Sequence, residues 1–318
     1  HKVTNKYKSI TIVHMINLPK EFYIPPKTEV IFVQDFFAKE LVGGAELTSD
    51  AIIKACPRPL FELHAHSITE GMIQKNKDKI WVFGNQTMTP PYLLQKFIDL
   101  KVRYYFFEYD FKPCVMRSTK KHQMQAGKCD CHNTPLGRFM ANWMSQARII
   151  FWCSDGQMDK FYNLYPYLKG TIKNFTQSST FYPETILNIR KVRERKERGE
   201  ILVEDRWAIL DSDSWIKGTE DAVKYCKERN MNYVLLKNLS NEQFLEELAK
   251  SKGLVFFPRD MDVGSRIYTE SKLLGGTPIV NDNVLHAKEA WINQEISKIE
   301  EYLLDGPSRF WKIIENNL

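Results

Sequence analysis

Short apolar runs of strand length alternate with amphipathic helical patterns along the chain, and this alternation limits the folds that it can adopt. Val30–Val33, Ile80–Phe83 and Trp207–Leu210 have the length and composition of buried strands. Strands that alternate with helices favour a parallel sheet with helices on both faces. The sequence therefore predicts an α/β fold.

The alternation occurs twice, on either side of Arg190–Gly199, a charged segment without apolar periodicity. We interpret this segment as a solvated linker or helix tail and as a domain boundary. Two such units predict two Rossmann-like domains that face a cleft, with ligands at the carboxyl ends of the strands. The predicted domains are residues 1–198, with a Cys/His loop at 108–138, and residues 199–305, followed by a C-terminal helix at 306–318 that packs back on the first domain.

Helical patterns also run from Ala45 to Ala55 and from Ser265 to Leu274. Near the C-terminus, two more run from Ala287 to Leu304 and from Ser308 to Asn316. The last two patterns predict separate helices at the end of the chain.

The two halves of the chain carry charge of opposite sign. Residues 1–198 contain 30 basic and 18 acidic side chains, whereas residues 199–318 contain 15 and 21. With 43% apolar and 26% charged residues, the composition is that of a globular protein and excludes disorder and a simple coiled coil. The positive first half predicts an anionic partner there.

The sequence has no run approaching the ~20 apolar residues of a membrane span. We also see no basic and then apolar leader before the first predicted strand. Three cysteines, Cys56, Cys153 and Cys226, are scattered in apolar segments, as is typical of reduced thiols inside cells. These features predict a location in bacterial or virus-infected host cytoplasm. They leave the oligomeric state undetermined.

The segment Leu254–Asp282 combines a buried strand with the start of a helix, and acidic residues lie on both sides of that start. Free amides at a helix N-terminus bind phosphate, and a glycine there permits close approach. An arginine can add paired bonds to phosphate oxygens. This segment predicts an anion site built by Asp262, Gly264, Ser265, Arg266 and Glu270.

Asp262 and Glu270 are separated by seven residues. This spacing resembles the acid-x7-acid motif of retaining glycosyltransferases with the GT-B fold, most closely family four. Glu270–Val280 is similar to that family's E-A-x-x-x-G-x-P-V-V. The sequence departs from the family in having Asp at the first position and one extra residue between Gly275 and Pro278. The resemblance implies that Glu270 holds the ribose of a nucleotide diphosphate sugar and that Asp262 holds the sugar that is transferred.

Two further segments resemble the same family and occur in the expected order. Gly43 and Gly44 precede a predicted helix in a G-G-A-E sequence, whose amides in the family approach the donor diphosphate and sugar. Lys217 precedes Gly218 just after a predicted strand, where the family's K-G places its lysine on the donor phosphate. The arginine that precedes this lysine in the family is not evident here.

The resemblance implies that a sugar passes from a nucleotide diphosphate sugar, a UDP-sugar in particular, to an acceptor hydroxyl with retention of anomeric configuration. Lys217, Arg266 and the helix amides would stabilise the departing diphosphate. The donor phosphate would help to remove the acceptor proton in a front-face displacement. No obligatory catalytic metal is expected.

In such enzymes the acceptor lies on the N-terminal domain. Because that domain is positively charged in this chain, we expect an anionic acceptor. The E-Y-D and C-D-C segments resemble virus- or phage-type transferases, in which a hydroxymethylated base in DNA is a candidate acceptor. One alternative is a transferase that acts on a surface polysaccharide or lipid glycan. Another is a non-catalytic nucleic-acid-binding protein with a zinc loop.

Asp211 and Asp213 follow a predicted strand and imitate the D-x-D metal site of the GT-A transferases. We rank this interpretation below GT-B, and a solvated loop with capping side chains also fits. Glu108 and Asp110 end another predicted strand, where they could contact the acceptor or pair with neighbouring basic side chains. His64 ends an earlier strand and fits a structural role.

Thiol and imidazole side chains cluster within a short stretch of the first half. Four such ligands complete the tetrahedron of a structural zinc site. A disulfide between Cys114 and Cys129, or free thiols in a packed loop, are the alternatives. The candidate zinc ligands, any four of which would suffice, are Cys114, His122, Cys129, Cys131 and His132.

Overall fold

The structure is a computed structural model that describes residues 23–318. The prediction about a leader concerns residues that lie partly outside this range. The predicted α/β fold with two Rossmann-like units is confirmed. The first unit contains β1 (Val30–Gln34), α1 (Gly44–Lys54), β2 (Leu60–His64), α2 (Glu70–Lys75), β3 (Ile80–Phe83), α3 (Pro91–Asp99), β4 (Tyr104–Glu108), α4 (Thr119–Ala126), α5 (Pro135–Ser145), β5 (Ile149–Trp152), α6 (Asp155–Leu164), α7 (Leu168–Thr171) and β6 (Lys173–Thr176).

The first sheet has six strands in the order β2-β1-β3-β4-β5-β6, and every neighbouring pair is parallel. All residues of β1, β3, β4 and β5 are buried, because helices cover both faces of the sheet. This burial explains why these strands are continuous apolar runs. β6 at the sheet edge is only partly buried, and its polar sequence gave no strand signal.

The second unit follows helix α8 (Pro183–Glu197) and is built in the same way. Its strands form two parallel pairs, and a bridge between Ala208 and Leu254 brings the pairs side by side. The backbone N–H of Ala208 donates to the carbonyl of Gly253 over 2.9 Å at this junction. The elements are β7 (Trp207–Leu210), α9 (Thr219–Glu228), β8 (Tyr233–Leu236), α10 (Asn241–Lys250), β9 (Val255–Phe256), α11 (Arg266–Leu273), β10 (Ile279–Val280) and α12 (Ile296–Glu315).

Helix α12 connects the two units. Ile299 and Leu303 belong to the apolar core of the second unit, whereas Phe310 and Ile314 are buried against the first sheet. Gln177 of the first unit donates from Nε2 to the Gly306 carbonyl over 2.7 Å between these two contact regions. The helix is therefore held from both sides.

The prediction of separate terminal helices over Ala287–Leu304 and Ser308–Asn316 is wrong. The structure has short 3-10 turns at 285–288 and 291–293 and then one helix that continues through Pro307. Proline removes one backbone donor from a helix. Because its neighbours Gly306 and Phe310 are buried, packing on both units outweighs that loss.

Arg190–Gly199 is the end of helix α8 rather than an extended linker. Arg190 and Arg193 both bind the carboxylate of Glu300 on α12, over 2.7 Å each. The apolar face of α8 packs in the core of the second unit, although the helix lies before the predicted boundary. Within residues 23–318, no helix is both long and apolar enough to cross a membrane.

Candidate functional site

A cavity of about 230 Å³ lies between the two units, at the carboxyl ends of strands from both sheets. Three segments that are far apart in sequence meet there: the start of α1, the turn before α9 and the loop after β9. Because all strands of a parallel sheet end at the same edge, residues that follow different strands come together at that edge. The lining residues are Gly44, Ala45, Thr48, Tyr109, Cys153, Ser179, Ile216, Lys217, Met261, Asp262, Val263 and Gly264.

Gly44 begins helix α1 and lines the cavity, whereas Gly43 does not. The N-cap residue Gly43 offers no side-chain cap to the first amides of the helix. The carboxylate of Glu46 turns back toward Gly43, where an added Cβ would lie 2.4 Å from Glu46 Oε2. Burial raises the pKa of Glu46. Gly44 therefore borders both the cavity and the Arg266 side chain, while Glu46 occupies the side of Gly43.

Arg266 extends from the start of α11 toward the first unit, beside Gly44. Its guanidinium donates to the Thr180 carbonyl over 2.8 Å and stacks on Phe181 at 3.8 Å from the ring centroid. Among the described residues, no carboxylate lies within 4.0 Å of its nitrogens. The cleft thus contains a cation without an ion-pair partner, and burial lowers its pKa.

Glu270 lies one turn further along α11, behind Arg266. Burial raises the pKa of Glu270 to about 7, and the charge on Arg266 opposes this rise only in part. Ser265 is the N-cap of the helix and accepts from the amide of Tyr268 over 3.3 Å. Gly264 packs so closely on the first unit that an added Cβ would lie 2.7 Å from Ser179 Oγ. Of these residues only Gly264 lines the cavity, whereas Ser265, Arg266 and Glu270 do not.

Lys217 and Asp262 form an ion pair across the cavity, with 3.0 Å between Nζ and Oδ2. Gly218 has a positive φ of 64° and follows Lys217 in a tight turn. A Cβ at Gly218 would lie 1.8 Å from the Phe257 carbonyl oxygen, so only glycine fits there. The turn thereby brings Lys217 against the loop that contains Asp262.

The first unit contributes buried polar groups at the same edge of its sheet. The side-chain atoms Gln34 Oε1, Asn85 Oδ1 and Glu108 Oε2 are buried without a hydrogen-bond partner in the described part of the chain. Glu108 binds Lys112 over 2.7 Å, and Asp110 binds Arg117, as the local-pairing alternative predicted. Burial raises the pKa of Glu108. These atoms lie below the surface and do not line the cavity, so each has unused hydrogen-bonding capacity that an ordered water could fill.

Four of the five predicted metal ligands come together in the first unit, namely Cys114, His122, Cys129 and Cys131. Their ligand atoms all lie within 4.8 Å of one another. The fifth candidate, His132, is not among them. Its ring instead lies near Asn133, with 3.1 Å between His132 Nε2 and the Asn133 amide nitrogen.

The other candidates from the sequence have local partners. Lys237 pairs with both Asp211 and Asp213, at 3.7 and 2.9 Å. The imidazole of His64 contacts Glu40 over 2.9 Å. These contacts favour the solvated-loop interpretation of D-x-D and the structural role of His64.

Sequence reasoning missed several residues of the cleft. Tyr109 and Ser179 line the cavity, and each follows the carboxyl end of a parallel strand. Tyr109 could have been identified from this position, because the strand before it was predicted from the sequence. His286 gave no comparable signal. It is buried, with its Nε2 3.3 Å from Thr269 Oγ1, and burial lowers its pKa to about 4.

Gly218→Ala should destabilise the protein by more than about 2 kcal/mol, because left-handed backbone strain adds to overlap with the Phe257 carbonyl. Gly199→Ala is the matched control. Gly199 has a φ of 77°, but no described atom lies within 4 Å of an added Cβ, so a loss of about 1 kcal/mol is expected. Urea denaturation measures both losses, and equal values would show that the close approach carries no cost.

No protein-family model matches the chain, and no curated protein matches it in sequence. Solved structures do match. The structure of Anabaena Alr3699/HepE in complex with UDP and glucose has a TM-score of 0.52 at 10% identity, covering 91% of this chain and 100% of that chain. HepE in complex with UDP has a TM-score of 0.53 at 12% identity, with 91% and 95% covered. The Candida albicans trehalose-6-phosphate phosphatase N-terminal domain has a TM-score of 0.50 at 10% identity, with 91% and 96% covered. The chain therefore shares its two-unit fold with these proteins.

Proposed function

We propose that this protein is a retaining glycosyltransferase that uses a nucleotide diphosphate sugar, with a UDP-sugar as the favoured donor. The observation that carries the proposal is the position of Arg266 beside Gly44 at the uncapped start of α1, where this cation has no ion pair with any residue in the range 23–318. Glu270 acts on this cation only at a distance, and a partly buried cation without an ion-pair contact is stabilised when an anion binds beside it. A donor diphosphate supplies that anion.

Lys217 and Asp262 serve as a pair that the donor separates. Without donor, each neutralises the other over 3.0 Å. A diphosphate in the cavity draws the ammonium of Lys217 to its oxygens and leaves Asp262 free to accept hydroxyl groups of the sugar. Lys217 and Arg266 then face the leaving group, where charge develops during transfer.

Glu270 suits the ribose of the donor. An ionised carboxylate accepts two hydrogen bonds, and two neighbouring ribose hydroxyls donate them. Among the described residues, its carboxylate has no hydrogen-bond donor, so this capacity is unused. Amides at the start of α11, capped on one side by Ser265 and opened by Gly264, supply further donors to phosphate.

The acceptor enters from the first unit. In the transfer step, the bond from the anomeric carbon to the donor phosphate breaks and a bond to the acceptor oxygen forms. The acceptor proton passes to the departing phosphate. Among the lining residues that the structure describes, no nucleophile is paired with a base, which favours this front-face route over a covalent intermediate. HepE, which shares the fold, was solved with UDP and glucose, and this supports the choice of donor.

Arg266→Ala should weaken UDP binding about 10- to 100-fold, since a charge-assisted hydrogen bond contributes about 1.5–3 kcal/mol. Arg266→Lys should give an intermediate loss, because lysine keeps the charge but loses the forked geometry. Isothermal titration calorimetry measures both. Arg206→Ala is the matched control, since Arg206 lies before β7 and is paired with Glu204 and Glu247. Wild-type protein that binds no nucleotide diphosphate would contradict the enzyme proposal and favour the nucleic-acid-binding alternative.

Glu270 predicts a pH dependence of nucleotide binding. With a pKa of about 7, its carboxylate is mostly protonated at pH 6 and mostly ionised at pH 8. Affinity for UDP should therefore rise with pH by up to about tenfold over this interval if the ionised form accepts both ribose hydroxyls. Glu270→Gln should lose this rise. The phosphate of UDP titrates equally with both proteins, so an identical pH profile for the variant would contradict the role of Glu270.

The proposed acceptor is a hydroxymethylated base in DNA. Its electrostatic support is the exposed basic side chains of the Cys/His loop, namely Lys120, Lys128 and Arg138. Duplex binding should weaken steeply with salt, and Lys128→Ala should lower the slope of log affinity against log salt by about one. Lys224→Ala, an exposed lysine of α9, is the control.

Released UDP, measured over a panel of UDP-sugars with and without modified DNA, reports transfer. Binding that ignores salt would exclude DNA and favour the glycan acceptors.

A further inference from the structure

We propose that Cys114, His122, Cys129 and Cys131 bind one structural Zn²⁺ ion, and that this ion fixes helix α4 where it holds Asp260 of the second unit. The proposal is independent of sugar transfer. It concerns how the loop between β4 and α5 is kept in place against the donor side of the cleft.

Three distances among the four side chains lie at or near those between the ligands of a tetrahedral ion. Cys114 Sγ lies 3.7 Å from Cys129 Sγ and 3.7 Å from His122 Nδ1, and Cys131 Sγ lies 3.2 Å from the same nitrogen. Zinc bonds of about 2.3 Å to sulfur and about 2.0 Å to nitrogen place tetrahedral ligands roughly 3.5–3.8 Å apart. Three thiolates and one imidazole form a ligand set that suits zinc.

The backbone holds each ligand from a different local feature. Cys114 lies in a turn, where its carbonyl accepts from the amide of Arg117 over 2.8 Å, and His122 is on α4. Gly127 ends α4 with a positive φ of 79°, which turns the chain back toward Cys129. The Cys131 carbonyl accepts from Thr134 Oγ1 over 2.7 Å. Each ligand is thus held by its own local backbone structure within the connection between β4 and α5.

Helix α4 needs a tether that its own packing does not provide. It has eight residues, and none of them is buried. A helix this short is unstable in water without tertiary contacts. A metal bound by His122 and by cysteines on both sides of the helix supplies the missing constraint.

A disulfide explains less of the arrangement. The Cys114 and Cys129 sulfurs are 3.7 Å apart, whereas bonded sulfurs are about 2.05 Å apart. A disulfide also leaves Cys131 and His122 in contact for no evident reason. Zinc with three thiolates has a net charge of −1, and the ammonium of Lys160 lies nearby, donating to Thr119 Oγ1 over 3.2 Å.

The start of α4 connects this cluster to the cleft. Ser118 donates from Oγ to Asp260 Oδ2 over 2.6 Å, and the Lys120 amide donates to the same oxygen over 3.0 Å. Asp260 is only 2% exposed and lies two residues before Asp262. An ion that fixes α4 therefore also restrains the loop that contains Asp262.

Metal analysis of the purified full-length protein tests the first part. We expect about one zinc ion per chain, and Co²⁺ exchanged into the site should show the visible absorption of tetrahedral thiolate coordination. Cys129→Ser should lose most of the metal, while His132→Ala and Cys56→Ser should retain it. Folded wild-type protein that contains almost no zinc and leaves Co²⁺ unbound overturns the proposal, as does a Cys114–Cys129 disulfide found by mass spectrometry.

Amide hydrogen exchange tests the coupling to the second unit and does not depend on any activity. Removing the metal with a chelator should speed exchange in residues 258–263 by about tenfold or more, because the partners of Asp260 are released. Exchange in β7 is the internal control and should change little. Exchange at 258–263 that is unaffected by loss of bound zinc overturns the coupling. The wild-type protein gives both results even if Cys129→Ser fails to fold.

Discussion

Helix α12 is buried in the cores of both units, and the geometry of the cleft depends on this shared burial. Leu303 packs in the second unit, and Phe310 and Trp311 are 0% and 2% exposed against the first. Each large apolar side chain that is fully buried contributes about 1.5–3 kcal/mol. The carboxyl edges of the two sheets are thereby held facing each other, and the residues that follow their strands come within reach of a single ligand.

Contacts across the mouth of the cleft are of a different kind. Arg266 donates to the Thr180 carbonyl, Ser179 to the Gly264 carbonyl and Ser118 to Asp260. A single hydrogen bond contributes about 0.5–1.5 kcal/mol in net terms, less than a buried aromatic side chain. The α12 side is therefore the persistent connection, and the polar side is the one that a ligand can rearrange at low cost. The Lys217–Asp262 pair is also a polar contact of this kind. Each side chain neutralises the other as long as no anionic ligand binds Lys217 more strongly.

The parts of the fold that were predictable are those in which local sequence and tertiary burial agree. β1, β3 and β4 are apolar along their whole length because both faces of the sheet are covered. β6 is polar and half-exposed, so its pairing with β5 depends on the neighbouring strand rather than on its own pattern. The prediction of two separate terminal helices failed at Pro307, because burial on two units overrides the local helix-breaking preference of proline.

The candidate site was predictable in part for a similar reason. Gly44, Lys217 and Asp262 follow separate strands, and the parallel topology brings them together once the strands are known. The lack of an ion pair at Arg266 and its contact with Thr180 arise between units, so no local pattern contains them. For the metal ligands, spacing could not separate His122 from His132. The distinction depends on side-chain direction, which α4 and the following 3-10 turn determine.

Packing also changes what the charge distribution implies for the acceptor. The basic run of α8 is attached to the second unit, where Arg190 and Arg193 neutralise Glu300. Without α8, residues 1–182 contain 24 basic and 15 acidic side chains. Lys112 and Arg117 are paired within the first unit, so they attract no external anion either. The exposed lysines and arginine of the Cys/His loop are therefore part of the positive charge available to an acceptor, together with exposed lysines elsewhere in the first unit, such as Lys75, Lys101 and Lys169. That loop contains the four ligands of the proposed zinc site, so an ion that fixes α4 would also orient the charges that meet an anionic acceptor.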